Sequence, residues 1–385
     1  MPSIKPRIEE KSNVPFLLSL LLIAVSIIAL ISSVIFFSTS FFFKSNVDVF
    51  YSEKRPFNAL VSVNHGDVNK FMAMAIVNPA TKRAGLISFF EGTALDQTGP
   101  TLAEMFNTED SANVAELLSE MLGYQENFYL DLQLEDIIKY VDLIEGLPYF
   151  LWSIDKLENE SLPIGEFYLD GALAMEYLSA PQIESSSAAT KLFRHYSFLL
   201  NAWENRLDKW TLISNRKIFQ KLVDSIKSNL NVNDLYLISK NFYTDQEWQL
   251  YFMEVPVQRG KERYVLDKEA TALYLKKFKE KLNAVGETGE QARMDIQNGA
   301  GIDNLAKKMR YTLTKKGIQV LEFTNADHSD YKKSILINTS ATPHLTKNVS
   351  QLLGVDKVYY SVNKSMFTDM VLILGDDYKQ IKVND

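Results

Sequence analysis

The chain has no cysteine in its 385 residues. That excludes a disulfide framework, a thiolate metal site and a thiol nucleophile together. Histidine is nearly as scarce: His65, His195, His328 and His344 lie far apart and show no metal-ligand spacing. No block of Lys or Arg occurs and the net charge is −7, which excludes charge-driven nucleic-acid binding. Between Lys11 and Lys44 there is no charge of either sign.

What fills that gap is apolar almost throughout from Phe16 to Phe37. As a helix rising 1.5 Å per residue it is longer than the ~30 Å hydrocarbon core of a bilayer. Residues 16–43 are therefore expected to be a transmembrane anchor. Lys5, Arg7 and Lys11 on the short flank, against Lys44 beyond it, favour a cytoplasmic tail over 1–15. The remaining chain is then extracytoplasmic, periplasmic or external, in a single-pass protein. The rival reading, a cleavable signal peptide, needs an apolar core of about 7–15 residues ending in small side chains. Here the run leads into Ser-Thr-Ser-Phe-Phe-Phe, a poor cleavage site.

The exported part reads as layered α/β. Strands are predicted at Phe57–Val63, Phe71–Val77 and Ala84–Phe90, separated by the tight turns Asn64-His65-Gly66-Asp67 and Asn78-Pro79. Helices are predicted at Val114–Leu122 and Leu134–Ile144, with a strand at Phe128–Leu132 between them. Further helices follow at Asp170–Leu178 and Thr190–Asn205, and the helical pattern continues over Phe219–Leu230. In Thr190–Asn205, Leu192, Phe193, Tyr196, Leu199, Leu200 and Trp203 form one apolar stripe. A strand at Glu247–Val257 and a helix at Lys268–Leu282 lead to Ala284–Gln291, rich in Gly, Glu and Thr, which reads as a linker.

A second unit is expected over 292–380, a small α/β sandwich of about 90 residues able to fold alone. Its strand Arg293–Gln297, turn Asn298-Gly299-Ala300-Gly301 and helix Ile302–Lys316 come first. Strands at Ile318–Phe323, Ser334–Asn338, Lys357–Tyr360 and Met370–Leu374 and a helix from Thr342-Pro343 to Gly354 complete it.

This unit resembles the LytR C-terminal domain. The resemblance rests on Asn298-Gly299-Ala300-Gly301, Asn325-Ala326, Leu352-Leu353-Gly354 and the ending Val371–Leu374 with Gly375-Asp376-Asp377-Tyr378, covering roughly 291–378. Upstream, residues 57–266 are similar to the LytR-CpsA-Psr domain. The matching segments are Asn78-Pro79-Ala80-Thr81-Lys82, the block from Glu116 through Val141-Asp142 to Gly146, and Leu169-Asp170-Gly171-Ala172 leading to Tyr177. An anchor before both domains is that family's usual layout, and residues 267–291 join them as helix and linker. The resemblance implies a phosphotransferase that holds a polyprenyl pyrophosphate lipid in an apolar groove and passes its glycan to a wall polymer.

The chemistry of that family needs cations on the phosphates and carboxylates on a divalent metal. This sequence departs from it there. The acidic position at the start of the second strand falls near Asn69-Lys70, the Pro-Arg-Asp motif aligns with Phe90-Glu91-Gly92, and the paired arginines align with Ser179 and Pro181. Of the basic set Lys191 and Arg194 persist, i and i+3 on one helix, with Lys70 the remaining candidate for phosphate or lipid contact. They compete with the plainer reading of solvated charges beside an apolar stripe.

Other sites weigh less. Glu91 and Asp96 are read as loop carboxylates rather than an acid/base pair, and the Asn298–Gly301 turn as demanding special backbone angles rather than cradling an anion. Phe89, Phe90, Phe106, Tyr149, Phe150 and Trp152 are candidates either for core packing or for the lining of a lipid groove. The expectation is a membrane-anchored envelope protein, catalytically degenerate, that binds an envelope glycan, polyprenyl lipid or partner protein. No catalytic residue, metal ligand or cofactor is assigned. The alternative is an active glycopolymer phosphotransferase, which alone would need Mg or Mn.

Overall fold

The computed structural model describes residues 45–90, 92–109, 111–125, 128–151, 162, 165–180, 188–260, 263–284, 291–363 and 366–381. The expected anchor, Glu91, Trp152, the side chain of Lys191 and most of the linker lie outside the described residues. Among the described residues no helix is long and apolar enough to cross a membrane.

In chain order the elements are α1 (Asp48–Ser52), β1 (Phe57–His65), β2 (Val68–Asn78), β3 (Arg83–Phe89), β4 (Thr93–Ala94), α2 (Leu102–Thr108) and α3 (Ser111–Met121). Next come β5 (Phe128–Gln133), α4 (Leu134–Leu143), β6 (Leu147–Leu151), β7 (Gly165–Leu169), α5 (Gly171–Ser179), α6 (Ala188–Ile213) and α7 (Arg216–Val223). They are followed by β8 (Lys227–Ser228), α8 (Val232–Thr244), β9 (Gln249–Glu254), β10 (Val257–Arg259), β11 (Tyr264–Leu266) and α9 (Lys268–Asn283). The last part holds β12 (Arg293–Asn298), α10 (Leu305–Lys315), β13 (Gln319–Asn325), β14 (Ile335–Asn338), α11 (Pro343–Leu353), β15 (Lys357–Tyr360) and β16 (Met370–Leu374).

The first sheet has the order β8-β5-β1-β2-β3-β9. Its centre is the antiparallel β1–β2–β3 meander expected from the turns, extended by β5 parallel to β1 and β9 parallel to β3. Alternation along β1 and β2 divides its side chains between two cores, as a period of two requires. Ala59, Val63, Phe71, Ala73 and Val77 face α4 to α8, while Leu60, Met72, Met74 and Ile76 face α2, α3 and α9.

The Leu-Asp-Gly motif has a local reason. Asp170 Oδ1 accepts from Leu173 N at 2.9 Å and caps α5, while Gly171 N donates to Asp142 Oδ1 at 3.0 Å. A Cβ on Gly171 would come within 2.3 Å of that same oxygen. Only glycine lets the helix start sit this close to α4.

Four segments differ from expectation. The helical pattern over Phe219–Leu230 breaks after Val223, and Lys227–Ser228 pairs antiparallel with β5. Tyr129 explains the switch: its N–H donates to Asn229 Oδ1 at 3.0 Å and its carbonyl accepts from the Ser228 hydroxyl. The hairpin β6–β7 and helix α8 also form, the latter on a capping box between Asn231 and Asp234. The helix expected from Ile302 starts at Leu305, because Asn304 takes a left-handed conformation with φ of 58°.

The second sheet has the order β13-β12-β16-β14-β15. Helices α10 and α11 cover one face, burying Met294, Ile296, Met309, Leu313, Leu345 and Leu372. The other face is not self-sufficient. Phe150 of β6 is buried among Ile335, Ile337, Tyr359 and Ile373, and Tyr360 and Val362 join the first module's core. Glu166 of β7 receives Lys357 Nζ at 2.9 Å and Tyr359 OH at 2.5 Å. Residues 47–385 thus form one compact unit. The sandwich expected to fold alone shares buried side chains with the module before it.

Candidate functional site

Between the first sheet and helices α4, α6, α7 and α8 lies a cavity of about 440 Å³. Its walls are Val61, Val63 and Phe71 at one end, and Val77, Ala84 and Leu250 at the other, with Phe198, Leu199, Ala202 and Trp203 of α6 along its length. His195 and Arg206 mark the two ends on α6, eleven residues and so about 16 Å apart. The volume falls in the ~300–1,000 Å³ range of small-molecule sites.

Polar atoms at the wall are few and mostly committed. Tyr243 OH donates to Tyr140 OH at 2.7 Å, and the Asp136 carboxylate takes the Ser225 hydroxyl, Lys139 Nζ at 3.1 Å and Gln133 N at 2.9 Å. The arrangement can hold an uncharged aliphatic chain.

Burial pushes the Tyr140 phenol up to about 12, and the Tyr243 phenol well above its ordinary value. Unfolded tyrosines lose their protons near pH 10. Above that pH the unfolded state binds fewer protons than the folded state, so stability falls as pH rises toward about 12 for Tyr140. A titration followed at 295 nm together with far-UV circular dichroism is expected to show a fraction of tyrosines ionising only as the fold is lost. Ionisation of every tyrosine near pH 10 with the fold intact would contradict this burial.

Lys70 lies on β2, half-buried, next to Phe71, which stacks on His195 at 5.2 Å. Arg194 is 5% exposed. Its Nη1 donates to Ala180 O at 3.3 Å and its guanidinium lies 5.8 Å from the Tyr177 ring, tying α6 to the end of α5. It is therefore a buried cation at a helix junction, not a solvated one. Neither Lys70 nor Arg194 lines the cavity.

Where the family resemblance asks for a metal carboxylate, an amide network stands. Asn69 Nδ2 donates to Asn64 Oδ1 at 2.9 Å, and Asn64 Nδ2 to Asp131 Oδ1 at 2.5 Å, with Ser62 Oγ on the same oxygen at 3.1 Å. Among the described residues no group of three His, Asp or Glu converges as a metal set.

Of the aromatic candidates, Phe89 and Phe106 pack on the opposite face of the sheet, Tyr149 in the core beside Tyr177, and Phe150 against the C-terminal sheet. The rings at the cavity are Phe71, Tyr140, Phe198, Trp203, Phe242 and Tyr243. Arg206, which lies flat on Trp203 at 3.8 Å, was legible only as an i, i+3 neighbour. The Tyr140–Tyr243 pair spans 103 positions, beyond any local signal. Gly301 meets the expectation of special backbone angles with φ of 65°, while Gly299 is needed for space: a Cβ there would sit 2.6 Å from Tyr331 and 3.0 Å from Leu374 O.

Residues 291–378 match the family model described as LytR cell envelope-related transcriptional attenuator. No curated protein sequence matches the chain. Among solved structures, a protein from Streptococcus agalactiae is similar with a TM-score of 0.53 at 13% identity, over 64% of this chain and 93% of that one. A transcriptional regulator from Enterococcus faecalis is similar with a TM-score of 0.50 at 15% identity, over 64% and 92%. TagV of B. subtilis is similar with a TM-score of 0.49 at 12% identity, over 61% and 99%. At such identities the likeness is one of fold. The chain thus carries a LytR C-terminal domain at 291–378.

Proposed function

We propose that this chain is a membrane-anchored cell-envelope protein that retains the aliphatic chain of an envelope lipid or lipid-linked glycan without turning it over. The apolar cavity carries the reading. Apolar wall left facing water is unfavourable, and an aliphatic chain seated against it would remove that surface from water at a gain of ~25 cal/mol per Å². A cavity of this size, apolar along its length, is a place for a ligand.

The envelope setting is supported by the C-terminal family model and by the apolar run before residue 45. The absence of turnover is supported by the replaced motifs, with Asn69-Lys70 and Phe90-Glu91-Gly92 where carboxylate and arginine stand in the family. Without the family's carboxylate and paired arginines around the transferred phosphate, the electrostatic term that dominates phosphoryl transfer is weakened. Incubation of residues 45–385 with a lipid-linked oligosaccharide, Mg²⁺ or Mn²⁺ and acceptor peptidoglycan is expected to give co-elution of the lipid with the protein and no transfer product. Metal-dependent transfer would establish the phosphotransferase instead, and failure to retain the lipid would remove the binding role.

A further inference from the structure

Beside the apolar cavity lies a second, polar cleft of about 240 Å³, between α6 and the C-terminal helix α11. Glu204, Gln246, Lys347 and Gln351 contribute to it, and it shares Trp203, Arg206 and Leu250 with the cavity. The shared wall is the far end of the cavity, about 16 Å along α6 from His195. An apolar space therefore abuts a polar one, and the partition between them is a guanidinium lying on an indole.

Arg206 is 6% exposed. Its hydrogen bonds go to main-chain carbonyls: Nε to Phe242 O at 2.7 Å, Nη1 to Trp203 O at 2.7 Å and Nη2 to Asp245 O at 3.5 Å. A guanidinium has five N–H donors, so two are left over. Burying a cation whose hydrogen bonds go to neutral oxygens is costly, and that burial pushes Arg206 down to about 10, with the nearby Glu204 and Asp245 carboxylates opposing the shift. The nearby carboxylate of Glu204 takes the Tyr360 hydroxyl at 3.0 Å. Across the cleft Lys347 is exposed, with Nζ on Gln246 O at 3.0 Å. Arg206 and Lys347 thus both line the cleft that adjoins the chain-sized apolar space, with the Glu204 carboxylate on the same wall.

We infer that this cleft is the head-group subsite of the cavity's occupant, a single-chain amphiphile with an anionic head, and that the C-terminal domain supplies half of it through Lys347. The inference rests on the reading of the cavity as an aliphatic-chain site. The head, a carboxylate or a phosphate, sits against Arg206 and Lys347, and the tail runs toward Phe71 and His195. This places the charged end opposite to Lys70.

Fluorescence titration of residues 45–385 with parinaric acid and with its uncharged methyl ester separates the two claims. The parent is expected to bind the acid at least tenfold more tightly than the ester. Lys347→Glu, on the exposed face of α11, is expected to weaken the acid about tenfold and leave the ester unchanged, while Lys70→Glu behaves as the parent. Displacement of parinaric acid by lysophosphatidic acid at lower concentration than by oleate assigns the head as phosphate, and the reverse order as carboxylate; either is an anionic head. Equal binding of acid and ester, or sensitivity at Lys70 and not at Lys347, overturns the head-group site while the chain site stands. Binding of neither probe overturns both.

Discussion

Asn201→Leu is expected to loosen the C-terminal domain from α6 and to lower stability by about 3 kcal/mol or more. The side chain is fully buried. Its Nδ2 donates to Tyr360 O at 2.7 Å and to Ser197 O at 2.8 Å, and its Oδ1 accepts from Tyr360 N at 3.1 Å. One turn earlier, Ser197 Oγ accepts from Val362 N at 2.8 Å. β15 is the edge strand of the second sheet. In effect one helix supplies the hydrogen bonds that a further strand would give, which is how a buried edge is satisfied. Leucine keeps the branched outline of the side chain but replaces the amide oxygen and nitrogen by methyl groups, so every one of these hydrogen bonds is lost. It leaves a buried N–H and a buried C=O unmet, each costing about 1–3 kcal/mol. Urea unfolding is expected to show a lower midpoint, and limited proteolysis a faster release of a fragment beginning near residue 285. An unchanged midpoint would mean that the apolar contact of Phe150 with Tyr359 holds the domain without this bond.

Ala202→Trp is expected to abolish ligand retention, by at least about a hundredfold, with little loss of stability. Ala202 lines the cavity from α6 and is half-buried, so a larger side chain at this position projects into empty space. Filling a cavity removes the site for the ligand while adding contacts to the wall. The same change in a close-packed core would cost about 1–3 kcal/mol by overpacking. Ala202→Met, smaller and flexible, is expected to weaken retention to an intermediate degree. Retention equal to the parent's in both variants, with both folded, would place the ligand elsewhere.

The two predictions concern adjoining faces of one helix, about 100° apart, and the sequence showed only part of it. The stripe through Leu192, Tyr196, Leu199, Leu200 and Trp203 identified α6 as an apolar helix, because its period is local. Nothing local distinguishes a core-filling stripe from a cavity-lining one. That depends on Phe71, Ala84 and Leu250, brought in by three strands. Likewise nothing local marks Ser197 and Asn201, whose partners are Val362 and Tyr360, 165 and 159 positions away. The β1–β2–β3 meander and the order of segments in the C-terminal sheet were legible, since turns and alternation fix them within a few residues. Arg194 was read between a phosphate contact and a solvated charge. Its burial against Ala180 O reflects where α5 ends, which a one-dimensional pattern does not encode.

The central claim is that the cavity between the first sheet and α6 holds an aliphatic chain. Native mass spectrometry of residues 45–385, purified gently from an expressing cell and compared with Ala202→Trp, tests it most directly. The account predicts a parent protein carrying one tightly held lipid per chain, lost on solvent extraction, and a folded Ala202→Trp variant carrying none. A parent that is ligand-free after gentle purification and takes up no added lipid, or a filled variant that carries the same lipid as the parent, would contradict it.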